Sequence, residues 1–153
     1  MVTINKLIDL FTGLSKSHLM VKDAGYGPLD RIDDVKYPLV WTDIQSGTVE
    51  LNERNLTGSY IVDVYAFDRI DKDQNNLKDV ISDTSFILDG IVAKFSQSSL
   101  YRENFVKING TINKSLVQQT TTDDVFGWNA SFEVTFPVPL NDCNAPFNEC
   151  IDC

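Results

Sequence analysis

The chain has 153 residues, 42% hydrophobic and 23% charged, the values of an ordinary globular domain rather than of a disordered or collagen-like chain. Lys and Arg number 13 against 22 Asp and Glu, so the net charge is −9, which argues against a nucleic-acid- or anionic-lipid-binding surface built on clustered cations. One histidine, His18, leaves almost no raw material for His-dependent acid–base or metal chemistry.

The opening residues Met1 to Leu10 lack a basic region, a continuous apolar run and a small-residue cleavage site, so they do not read as a secretory signal. No apolar run approaches the roughly 18–20 residues that span a bilayer, and the expectation is a protein made in the cytoplasm without a membrane. The sequons at Asn55, Asn109, Asn113 and Asn129 are then coincidental.

In chain order, Ile4, Leu7, Ile8, Phe11, Leu14 and His18 recur at helical spacing and predict a first helix, with Thr3 as its N-cap and its end near Leu19. Asp23-Ala24-Gly25-Tyr26-Gly27-Pro28 reads as a loop. Tyr37 to Trp41 reads as a strand. Ser46-Gly47 reads as a turn into Thr48 to Leu51, and Thr57-Gly58 as another turn. Ser59 to Asp68 is apolar on both sides, as in a central strand covered on both faces.

The clearest element is a second helix. Leu77, Val80, Ile81, Thr84, Ile87, Leu88, Ile91, Val92 and Phe95 step by three or four and form one stripe, with Asn75 or Asn76 at its start. Phe105 to Ile108 reads as a strand ending in an Asn109-Gly110 turn, followed by a strand from Thr111 to Thr120. Trp128, Ala130, Phe132, Val134 and Phe136 alternate with polar residues, which predicts a half-buried antiparallel strand that Pro137 and Pro139 stop. The expected fold class is α+β: an antiparallel sheet of five to six strands with two helices on one face. Residues 1–140 form the single domain of this reading, and 141–153 an extended C-terminal arm.

Few constellations carry chemistry. Asp71-Lys72-Asp73-Gln74-Asn75 matches the first half of a calcium loop, but Asn76 stands where glycine is needed and Ser82 where a bidentate Glu is needed. Cys143, Cys150 and Cys153 are three thiols where a closed zinc site takes four ligands. His18 reads as a core or boundary residue, and Asp63 as a buried carboxylate on the central strand. No Gly-x-Ser-x-Gly, phosphate-binding glycine loop or His-Glu-x-x-His occurs. The expectation is a protein without catalytic residues, cofactor or metal.

Phe86 points about 180° away from the apolar stripe, beside Asp79, Ser82, Asp89, Gly90 and Ala93. One exposed Phe is ordinary, but an aromatic among small residues is also how a subunit contact is built. The candidate interface is therefore Phe86, Gly90, Ala93, Phe126 and, on the arm, Phe147.

The layout carries a family likeness. Its landmarks are the helix ending near His18, the Asp23-Ala24-Gly25-Tyr26-Gly27 stretch, Asp33-Asp34, the Tyr37-Pro38-Leu39 strand, Asp68-Arg69 through Asn75-Asn76, Ser82-Asp83, Gly127-Trp128 and Asp142-Cys143. The chain resembles the neck and tail-terminator (head–tail joining) proteins of tailed bacteriophages, particularly those of gut Bacteroidetes phages, including the crAss-like group. The resemblance implies a virion subunit that forms a six- or twelve-fold ring of its own copies between portal, neck and tail proteins. DNA would pass through the lumen without sequence-specific binding, and an acidic lumen would repel phosphate. The other reading is a soluble α+β protein-binding module without a virion role. A third is a domain stabilised by metal at the C-terminal thiols.

Overall fold

The computed structural model describes residues 2–52, 55–103, 105–120 and 124–138. The elements run α1 (Ile4–Ser17), β1 (Asp23–Tyr26), a single 3-10 turn (Leu29–Arg31), β2 (Leu39–Asn52), β3 (Asn55–Arg69), α2 (Leu77–Ser96), α3 (Ser99–Arg102), β4 (Lys107–Thr120) and β5 (Asp124–Val138). The strands form one five-stranded sheet in the order β1-β2-β3-β5-β4. The class is α+β, and the expected sheet needs correction. The sheet is mixed, not antiparallel, because β1 pairs parallel to β2 while every other neighbour is antiparallel. The predicted arm, with Phe147, Cys143, Cys150 and Cys153, lies outside the described residues.

The helices form where periodicity places them. Thr3 caps α1 by accepting from the Lys6 N–H at 3.3 Å. Along α2, Val80, Thr84, Ile87, Leu88, Ile91 and Phe95 are buried, which is the apolar stripe of the sequence. Asn76 occupies the N-cap position without a capping bond from its side chain. Its amide instead donates to the Arg69 carbonyl at 3.0 Å and accepts from the Asp71 N–H at 2.8 Å, closing the β3–α2 passage.

Three glycine-marked turns and most of one loop expected in the sequence are strand instead. Residues 39–52 are one strand whose pairing with β3 shifts by one residue between Ile44 and Ser46, a bulge, and then runs to Asn52 opposite Asn55. Gly47 and Gly58 lie inside these strands because the Tyr60 ring covers them: a Cβ at Gly47 would stand 2.4 Å from that ring, and one at Gly58 2.9 Å. Asn109-Gly110 lies within β4, where Gly110 takes φ +73 and the register shifts before Asn113. The stretch Asp23–Tyr26 is strand β1, not loop. A Cβ on its Gly25 would stand 2.3 Å from the Trp41 ring, whose Nε1 donates to the Gly27 carbonyl at 2.7 Å. The short α3, capped by Ser98, has no counterpart in the sequence reading.

Both long helices lie on one face. Phe11 of α1 stacks on Phe95 of α2 at 4.8 Å and meets Phe132 of β5 at 5.6 Å, over Val40, Val62, Val64, Ala66, Ala130 and Val134. Trp128 donates from Nε1 to the Ile81 carbonyl at 2.9 Å and so ties β5 to α2. On the opposite face a smaller cluster of Leu39, Trp41, Tyr65, Phe67 and Val125 is covered by Leu29, Ile32, Val35 and Tyr37. The strand read as central is the middle one, and it is covered on both faces at its Arg69 end.

Candidate interaction surface

The α1–α2 seam ends in an open apolar groove. His18 is the C-cap of α1, and its backbone N–H donates to the Ser15 carbonyl. Its Nδ1 accepts from the Met20 N–H at 3.3 Å, which leaves the proton of the neutral ring on Nε2. The ring meets Phe86 edge-on at 6.2 Å and 78°. Beneath it lies Gly90, where a Cβ would stand 3.0 Å from Nε2. Helix α2 thus needs a very small residue one turn after Phe86 to seat the end of α1.

Around this contact His18, Leu19, Met20, Phe86, Gly90 and Lys94 line a groove of about 410 Å³. Leu19 is 95% exposed and Phe86 63% exposed, so neither side chain is spent on the core. Covering each is worth roughly 1.5–3 kcal/mol to whatever covers it.

The four described residues of the five predicted for the interface do not form one patch. Phe86 and Gly90 line the groove on the α1 side of α2. Ala93 lines a separate depression of about 300 Å³ on the β4 side, with Asp89, Val92, Ile112 and Lys114. There the Lys114 ammonium bonds Asp89 at 2.7 Å and the Ser85 hydroxyl at 2.7 Å, and lies 5.5 Å from the Trp128 ring centre. Asp89 is 64% exposed, so this ion pair orients β4 against α2 more than it stabilises it. Phe126 sits half-buried at the start of β5, opposite Asp68 and Gln118. Phe147 is outside the described residues. Leu19 was missed: on the sequence it only marks the fading end of a helix.

The outer sheet face carries the polar candidates. Asp63, 9% exposed, stands in register opposite Asp43, two like charges across one strand pair. Its Oδ2 accepts from the Tyr65 hydroxyl at 3.5 Å, while its Oδ1 has no hydrogen-bond partner. Asp43 accepts from the Gln45 amide at 2.7 Å, at the bulge. Burial, then the charges of Asp63 and Asp43, push the Tyr65 phenol above its ordinary value of 10.0 against the lowering bond from Asn129. At the other end of β3, burial pushes the Asp68 carboxyl above 3.8, helped by Asp83 and opposed by the Arg69 N–H. Among the described residues no group of three His, Cys, Asp or Glu is placed to hold a metal, and no helix is long and apolar enough to cross a membrane. In the calcium-like stretch the Asn76 side chain bonds the backbone of Asp71 and Arg69.

In comparisons with known proteins, no family model and no curated protein matches this chain.

Proposed function

We propose that the chain is a structural subunit of the neck or tail of a tailed bacteriophage, a tail terminator or head–tail connector that assembles as a ring of its own copies around the DNA channel. The observation that carries this reading is the Leu19–Phe86 groove: two large apolar side chains, 95% and 63% exposed, flank the His18 ring seated on Gly90. Apolar material so placed gains by meeting another protein surface. The layout resemblance to neck and tail-terminator proteins supports it, as does the α+β architecture with both long helices on one side of the sheet. The acidic balance of −9 suits a conduit through which DNA slides without being held. In this reading the neighbouring portal, neck or tail proteins meet the two ends of the ring.

The test is Phe86→Glu. Its stability should move by less than about 0.5 kcal/mol, as for other exposed positions. Rings seen by electron microscopy in the unmodified protein, alone or mixed with its portal and neck partners, should disappear. Intact rings in the variant would remove Phe86 from the seam. Absence of the protein from purified phage particles would sink the virion role.

A further inference from the structure

The two edges of the sheet are unlike each other and complementary. β4 is paired on one side only, to β5, and its run from Asn113 to Thr120 is in unbroken register with Ser131 to Asp124. It contains no proline, its bulge lies at its N-terminal end, and its Lys114 is drawn onto Asp89, so the run from Ser115 to Thr120 is open to another strand. β1, the opposite edge, is likewise paired on one side only. By charge, β4 carries Lys107 and Lys114 and no carboxylate, whereas β1 carries Asp23 and no cation. Every strand except β4 is net negative. Lys114 is already held by Asp89 on the helix side, so what charge contributes is that two β1 edges meeting would bring aspartates together.

Direction adds a second observation. β1, β2 and β5 run one way, and β3 and β4 the other. Sliding one copy alongside another, with the helices kept on the same face, sets β4 of one antiparallel to β1 of the next. The apolar residues then match. Tyr26, 60% exposed, is in register with Thr42 and so lies on the helix side of the sheet. Leu116, 49% exposed and opposite Trp128, lies on the same side. They are the large exposed apolar side chains of the two edge strands, and they share a face.

We propose that copies of this chain associate edge to edge, β4 of one against β1 of the next, so that one sheet continues through neighbouring subunits with Tyr26 packed on Leu116. This rests on the ring reading above and names its seam. A head-to-tail contact of this kind leaves both edges of every pair ready for another copy, as a ring requires. With four residues in β1 the backbone contact is short, so closure of the ring and the Leu19–Phe86 groove must add to it.

The test uses the full chain with Cys143, Cys150 and Cys153 replaced by Ser, carrying Tyr26→Cys and Leu116→Cys together. Oxidation should give a ladder of covalent oligomers, since directly opposed cross-strand positions suit disulfide geometry. Each single variant should stay uncross-linked. Hydrogen exchange on the unmodified protein provides the second measurement: those amides of residues 116–119 that do not bond β5 should slow at least about tenfold on assembly. Rings in the unmodified protein without the ladder and without that protection overturn the edge contact and leave the ring reading standing. Dimers from Leu116→Cys alone overturn the head-to-tail sense. A chain solitary with and without its virion partners overturns both readings.

Discussion

On the helix side of β3, Val62, Val64 and Ala66 lie beneath α1 and α2 within a continuous apolar core. On the other side of the same strand, Tyr65 and Phe67 lie beneath the chain passing through Leu29, Ile32 and Val35, and Asp63 next to them faces Asp43. The helix side gains stability from area, with aromatic stacking between elements far apart in sequence. The outer side has a smaller cluster, in which Tyr65 stacks on Phe67 and Trp41 is laid over Gly25 and bonded to the Gly27 carbonyl. One strand can therefore belong to two cores of very different size.

The strongest way to break this contrast is Phe11→Ala. Phe11 is fully buried between Phe95 and Phe132, so its loss should cost about 3–5 kcal/mol in urea unfolding. A cost under about 1 kcal/mol would mean that the helix layer is not what holds the fold. Next comes Gly25→Ala, which drives a methyl into the Trp41 ring and should cost about 1–3 kcal/mol. Measured in a Trp128→Phe background, Trp41 emission should shift to the red. Unchanged emission and stability would show that the loop does not depend on that contact.

The smallest effect expected is from Asp68→Asn. Folding raises the Asp68 pKa, so the folded state holds its proton more tightly than the unfolded chain does. Its favourable contribution is present below the unfolded value and is lost as the pH rises through the folded one. The variant should therefore be slightly more stable than the parent at neutral pH, and the two should converge in acid near and below about pH 4. A difference that persists in acid would assign the effect to something other than the ionised carboxylate.

Much of the fold was legible because it is local. The α2 stripe and the Thr3 cap follow from spacings of three or four residues, and the outward position of Phe86 follows from the same wheel. The strands were less legible where glycine stood for closeness instead of reversal. Gly47 and Gly58 were read as turns because the Tyr60 ring that explains them lies across the strand pair or two residues away. Strand β1 was unreadable for a related reason: its four residues become a strand only by lying beside Leu39 to Thr42. In the candidate surface, Phe86 was visible alone, but its grouping with His18 and Leu19, and the separation of Ala93 onto the other flank of α2, depend on where α1 ends.

What the residue order settled by itself is the α+β class, the two long helices, their buried stripes and the central place of the strand around Val62, because periodicity needs only a residue's near neighbours. What folding in three dimensions decided is the parallel β1 edge, the bulged rather than turned strands, the second small core under Trp41 and the open groove at Leu19. Each of these rests on a contact between segments distant along the chain, and no pattern within either segment encodes where the other comes to lie.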